Sequence, residues 1–261
     1  MSSIPTIGTA VVNSTYWVSK LIMSVDYPVD NFFIVNNNGR GELDAELENL
    51  KTLNKKFIKK ITVANLPGNI GCSGAWNLII KCFMNSPYWI IVSDDVSFGL
   101  GFLEEMANTT NADPSVGLIH GFAGDYGVGS WDLFLIRDHI IQEFGLFDEN
   151  FYPAYCEDVD YAMRFMHKPI KKIMSLTKMY YHGNYEKGGY NEHGKQTQKT
   201  DTDLAEKFNK SNNMNMEYLN KKWGGGWRIC SPYETPFRTP GLSVSFTTYD
   251  LEFLRKKNLG F

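Results

Sequence analysis

The stretch Tyr88-Trp89-Ile90-Ile91-Val92-Ser93-Asp94-Asp95 decides how this chain is read. Five large apolar residues in a row describe a strand covered on both faces, as the central strands of parallel sheets are. The run then stops on a serine and two acids. Working outward, the same order of events recurs. Thr6 to Val12 is β-branched and apolar and closes on Asn13 and Ser14; Phe32 to Val35 closes on Asn36, Asn37, Asn38 and Gly39. Ile58 to Ala64 is a weaker strand. Helical patterns fall between: about Tyr16 to Val25, Glu42 to Lys56 with Leu43, Leu47, Leu50 and Leu53, and Ser73 to Met84. Strands alternating with helices predict βαβ units: an α/β fold, mostly parallel central sheet, helices on both faces. In such sheets ligands bind beyond the carboxyl ends of the strands, where these polar clusters stand.

The 261 residues carry 26 Lys plus Arg against 29 Asp plus Glu, a net charge of −3. That length fits one large domain, or one domain with an appendage. A composition 43% hydrophobic and 21% charged excludes disorder as the main state. The balance of charge argues against nucleic acid as the main partner. Local basic runs, Lys51, Lys55, Lys56, Lys59 and Lys60 and then Arg255, Lys256 and Lys257, read as solvated faces. Cys72, Cys82, Cys156 and Cys230 form no CxxC pair, so neither structural zinc nor a disulfide framework is expected, and free thiols imply a reducing compartment. The N-terminus lacks the pattern of a signal peptide, and no window reaches about 18 consecutive apolar residues, so no transmembrane segment is expected. A soluble, cytoplasmic protein is expected, with peripheral membrane attachment left open. Gly183 to Thr202 reads as a long polar loop, Asp203 to Lys222 as a helix, and the tail from Trp223 is rich in Gly, Pro and aromatics.

Three clusters could carry chemistry. Asp94 and Asp95 offer paired hard oxygens that suit Mg²⁺ or Mn²⁺ holding a diphosphate; alternatively they form a turn, as Asp does where strands end. Glu157, Asp158 and Asp160 open a helical pattern in which Asp160 and Arg164 make an i,i+4 pair. Acids there cap free N–H groups, or one of them serves as general base toward a hydroxyl. His182 follows Met179-Tyr180-Tyr181 and is either structural or a neutral nitrogen ligand to the same cation. No GxxxxGK[ST] loop and no GxSxG elbow is present, and the glycines of GFAGDYG at 121–127 do not match a dinucleotide fingerprint.

Several segments in order, from about residue 5 to 183, resemble the GT-A glycosyltransferases, specifically the family 2 group and its rhamnosyltransferase-like members. PTIGTAVVN resembles the family's opening strand. FFIVNNNG stands at its second strand, with Asn37 and Asn38 where an acid is usual. NLPGNIGCSGAWNLII matches N-x-G-x-x-x-A-x-N at Asn69, Gly71, Ala75 and Asn77. WIIVSDDV stands at the DxD position, with Ser93 in place of the first acid. WDLFLIRDHIIQEFGLFDENFYPAYCEDVDYAMRF resembles the acceptor-side stretch, and YYHG the late histidine.

The resemblance implies a GT-A catalytic domain over residues 1–190, with 191–261 a loop and helical extension packed on it. It implies a nucleotide-sugar donor, held by Mn²⁺ or Mg²⁺ at Asp95 and His182, with Asp94 on the ribose or sugar. Val12, Asn13 and Asn38 would bind the nucleotide, supported by Asn69 and Asn77. The candidate base is Asp158, with Glu157 the alternative, in a single displacement that inverts the anomeric centre onto a saccharide acceptor. Arg164 would anchor its helix rather than react. UDP is the implied nucleotide, with dTDP and GDP open, and rhamnose the implied sugar. Trp131, Phe151, Tyr152 and Tyr155 are candidates for an acceptor platform or for core, and Trp223 with Trp227 for a lid. A catalytically silent sugar-binding module on the same fold is the alternative, favoured by Ser93 and Asn37. A nucleotidyltransferase would open with a Gly-rich basic loop, where this chain has Asn13-Ser14-Thr15-Tyr16.

Overall fold

The computed structural model describes residues 3–121, 131–167, 173–183, 202–225 and 232–242. Seven of the described strands form one sheet. They are β1 (Ile4–Val11), β2 (Val29–Asn36), β3 (Ile58–Asn65), β4 (Tyr88–Val92), β6 (Leu118–His120), β7 (Leu133–Arg137) and β8 (Ile173–Ser175), in the order β3-β2-β1-β4-β7-β6-β8. β1 runs parallel to both β2 and β4, and β2 parallel to β3. β7 is antiparallel to β4 and β6. The order turns back between β1 and β4, so a crevice opens where those two strands end.

Both faces of the sheet are covered because β4 is apolar at every position and β7 at all but its last. In β4, Tyr88, Ile90 and Val92 join one core; Trp89 and Ile91 join the other. β7 splits likewise, Leu133 and Leu135 against Phe134 and Ile136. This is the two-residue period of a strand read twice over. The first core is closed by α1 (Thr15–Met23), α2 (Asp44–Leu50) and α4 (Phe102–Ala112). The second is closed by α3 (Gly71–Cys82), α5 (Asp138–Phe144) and α6 (Glu157–His167). Gly8 lets α3 approach β1: a Cβ there would stand 2.4 Å from Ile79 Cγ2. α1 begins where Ser14 Oγ accepts the N–H of Tyr16 at 3.2 Å. α2 ends at Leu50, and the leucine pattern continues only as turns to Phe57, with Asn54 at φ 48 breaking the helix.

Two short strands leave the main sheet. β5 (Val96–Phe98) pairs antiparallel with β9 (Tyr180–His182), setting Val96 opposite His182. The arm before β9 is held by Glu105, whose carboxylate accepts from the Thr177 N–H (2.9 Å), the Thr177 hydroxyl (2.6 Å) and the Lys178 N–H (2.8 Å).

The last long helix, α7 (Thr202–Trp223), packs against Phe151 and Met163 through Leu219 and Trp223. Four buried charges join it to the rest. Lys222 Nζ lies 2.7 Å from both Asp148 and Asp160, and Asp160 also receives Arg164 at 2.7 Å. Arg164 additionally donates to the carbonyls of Phe144 and Leu146, anchoring α6. Trp223 donates to Asp160 (2.7 Å) and stacks on His167 at 5.3 Å, fully buried. It is therefore core, not a lid; Trp227, most of the loop expected over 183–202 and most of GFAGDYG lie outside the described residues.

Candidate active site

The rim of the crevice is assembled from strand ends. Asn37 donates its N–H to Val11 O (2.8 Å), and Asn38 Nδ2 donates to Val12 O (2.7 Å), which fastens the end of β2 to the end of β1. The Asn37 side chain reaches on to the α3 entry, accepting from the Ile70 N–H (2.8 Å) and donating to Gly71 O (3.2 Å). Asn69 Oδ1 accepts the Gly71 N–H at 2.8 Å, and Asn69 O accepts the Tyr152 hydroxyl at 3.2 Å. Gly71 has φ +79, and a Cβ on it would meet Pro153 O and the Tyr152 ring, each at 3.0 Å. Val12, Asn13, Asn38 and Asn69 thus lie on or beside one rim.

Asn77 does not. It is fully buried, donates to Phe147 O (2.9 Å) and Glu149 (2.8 Å), and accepts the Phe147 N–H (2.9 Å). All its bonding capacity facing that loop is used inside the protein, so contact with a donor is corrected to a bracket between α3 and residues 147–149.

Beyond β4, Asp94 and Asp95 sit buried on one turn. The β5–β9 pairing carries His182 to Asp95: Nε2 and Oδ1 are 3.2 Å apart, and Gly183 N–H donates to Asp95 O at 2.9 Å. His182 Nδ1 lies 2.9 Å from Asp132 Oδ2. Burial disfavours the imidazolium, but the bonds to Asp132 and Asp95 outweigh it and push His182 up to about 10. Asp132 was missed in the sequence. Its backbone O takes the Ser93 N–H (2.7 Å), and its carboxylate takes the Tyr180 hydroxyl (3.0 Å). The signal was an acid directly before the apolar run of β7, but only the antiparallel register brings that end of β7 beside the end of β4.

The pair could hold a divalent cation once Nε2 gives up the proton it shares with Asp95, since metal binding requires the neutral imidazole. Adjacent ligands at octahedral Mg²⁺-type distances stand about 3 Å apart, close to the Asp95–His182 spacing. Asp132 on the far nitrogen is the partner that fixes ring orientation in metal-bound histidines. Among the described residues no group of three or more His, Cys, Asp or Glu is set to hold a metal. Two protein ligands leave positions for phosphate and water, the usual Mg²⁺ arrangement.

The second acidic cluster divides by helical direction. Asp160 faces Arg164, Lys222 and Trp223, and these partners overcome burial to hold its carboxyl below the usual range. Glu157 is buried beside Cys72, and among the described residues its Oε2 has no hydrogen-bond partner. Burial and then the Asp158 charge push Glu157 up to about 8, against hydrogen bonds from Cys72 and the backbone. Asp158 is half-buried, accepts the Val159 N–H at 2.8 Å, and is likewise raised, by burial. Trp131, which precedes Asp132, meets the ring of Tyr161 on α6, one turn beyond Glu157, at 5.9 Å.

Trp131 and Phe151 are core residues. Of the aromatics considered as an acceptor platform, Tyr152 and Tyr155 are exposed.

The fold so assembled is the GT-A type of glycosyltransferases. Solved structures share it. The mannosyltransferase PcManGT from Pyrobaculum calidifontis, in complex with GDP-Man and Mn²⁺, matches with TM-score 0.55 and 13% identity over 66% of this chain and 54% of that one. TarS 1–349 from S. aureus matches in complex with UDP (TM-score 0.52, 15% identity, 70% and 61% covered). Its complex with UDP-GlcNAc matches with TM-score 0.51 and 15% identity over 71% and 61%. The chain thus spans only 54–61% of the length of these solved chains. No protein-family model matches the sequence, and no curated protein does.

Proposed function

We propose that the chain is a glycosyltransferase moving a sugar from a nucleotide-diphosphate donor to a saccharide hydroxyl with inversion. The observation that carries this reading is the Asp95–His182–Asp132 arrangement at the β1–β4 crevice. The neighbours in complex with GDP-Man and with UDP support a nucleotide sugar as donor. UDP is the preferred nucleotide and rhamnose the preferred sugar, by the resemblance of the sequence.

The base and ribose would lie along Val12, Asn13 and Asn38, with Asp94 on the ribose or sugar. Asp95 and His182 would hold Mn²⁺ or Mg²⁺, which supplies neutralisation of the charge growing on the leaving diphosphate. Asp132 fixes the imidazole. Burial and then the Asp158 charge push Glu157 up to about 8, so at neutral pH the deeper Glu157 holds its proton. Asp158, the less buried of the two, accepts the acceptor's proton as the new bond forms on the face opposite the leaving group. Residues 1–190 form the catalytic unit in this reading, and 191–261 the extension that braces it.

A silent sugar-nucleotide-binding module on the same fold is favoured by two features, Ser93 at the first acidic position and Asn37 where an acid is usual after the second strand. The deciding test is a panel of UDP-, dTDP- and GDP-sugars with Mn²⁺, scored for nucleotide release with and without saccharide acceptors. Release from one donor supports the transferase. Binding of a donor without release across the panel supports the silent module.

A further inference from the structure

The backbone is strained directly before the candidate base. Tyr155 (φ 78) and Cys156 (φ 74) are consecutive left-handed residues, and neither is glycine. Such conformations persist where the surroundings over-determine them, and they cluster where side chains must be aimed. The next residues are Glu157 and Asp158, the first of α6, whose first turn is closed by Asp160 N–H to Cys156 O at 2.9 Å. A rotation at residues 155 or 156 therefore swings both acids.

The strained turn is gripped from two sides. On one, the Cys72 N–H at the start of α3 donates to Pro153 O at 2.7 Å. On the other, Asn215 of α7 is buried, and its Nδ2 donates to Ala154 O (2.8 Å) and Tyr155 O (3.0 Å). Two successive carbonyls converge on one amide group, which has the two N–H donors they need; a carboxylate of the same shape has none. Met216, next on α7, brings its sulfur to 3.4 Å from Cys156 Sγ.

We infer that Asn215 is a positioning residue for the acid pair: it holds the left-handed turn that aims Glu157 and Asp158 into the crevice. The inference rests on the transferase reading above, and it assigns a role to a helix that the sequence resemblance does not cover. Asn215 touches no reacting atom; it acts through the backbone of residues 154 and 155.

The test uses the full chain with Asn215→Ala, Asn215→Asp, and Asn215→Ala combined with Tyr155→Gly. Three quantities are read: amide hydrogen exchange over 153–160, UDP affinity with Mn²⁺, and UDP release from the sugar donor that the native protein turns over. Both single variants are expected to exchange these amides at least about tenfold faster. Displacing the base by about 1 Å lowers kcat for release about 10²-fold. UDP affinity stays within about twofold, because the nucleotide rim is built from β1, β2 and the α3 entry. Asn215→Asp does no better than Asn215→Ala despite its shape. Tyr155→Gly in the double variant restores protection, because glycine takes the left-handed conformation freely. Unchanged exchange in Asn215→Ala overturns the inference. So does a parallel loss of UDP affinity and kcat with faster exchange throughout the sheet, which is general destabilisation. If the native protein releases UDP from no donor while the local exchange effect is present, the transferase reading fails and the hold on α6 stands.

Discussion

Lys222→Met removes one cation from a dry interior while keeping most of the side chain's volume. Lys222 and Asp160 are fully buried and Asp148 nearly so, and Lys222 is 2.7 Å from each acid. In the variant Asp160 keeps Arg164 and Trp223, both at 2.7 Å. Asp148 keeps only neutral donors, the Tyr218 hydroxyl at 3.0 Å and the amides of Asn150. Two acids then face one base. Breaking a buried pair from one side costs about 3–5 kcal/mol. At about 2–4 °C per kcal/mol for a chain near this size, Tm falls by about 6–20 °C. Thermal and urea unfolding followed by circular dichroism read this directly. Adding Asp148→Asn removes the surplus charge and should recover more than half of the loss. A Tm change under about 2 °C, or a double variant no better than the single, refutes the reasoning that this network fastens α7 to α6.

Asp158→Asn should lower transfer by about 10²–10⁴-fold while UDP affinity survives; transfer within about tenfold of native would remove Asp158 from the role of base. Glu157 is raised in the folded protein from 4.5 to about 8, so its contribution to stability is full below 4.5 and lost as pH rises to about 8. Glu157→Gln should flatten that part of the stability profile, gaining on the native protein at pH 8 relative to pH 5, and parallel urea midpoints for the two proteins would contradict it. Asn77→Ala should destabilise by about 1–3 kcal/mol through the stranded groups at Phe147 and Glu149, with UDP affinity unchanged; weakened UDP binding without a Tm change would put Asn77 back in the donor site.

The sheet was legible because β4 is apolar at every position, and Trp89 and Ile91 against Ile90 and Val92 need two cores to bury them. The polar closures of β1, β2 and β4 marked the crevice for the same reason. Side-chain partners were less legible. The β5–β9 ribbon that brings His182 to Asp95 consists of three-residue strands, too short for any period to register. Asp132 was hidden by an antiparallel register that composition does not encode. The i,i+4 spacing set Asp160 with Arg164 apart from Glu157 and Asp158 in the sequence. Its further partners, Lys222 and Trp223, arrive from α7 and were not legible there. Asn77 reads toward the site and Phe151 stays open between platform and core in the sequence, because polar and aromatic residues also serve as interior brackets and core. Tyr155 and Cys156 carried no sign of their left-handed backbone, since neither is a residue that favours it.

Titrating UDP into the native chain and into Asp95→Asn, each with Mn²⁺ and with EDTA, reaches the proposal at its centre. Tight binding by the native chain with Mn²⁺, weakened at least about tenfold by EDTA and by Asp95→Asn alike, is the expected result. Equal affinity in all four titrations would mean that Asp95 and His182 hold no cation for a donor diphosphate.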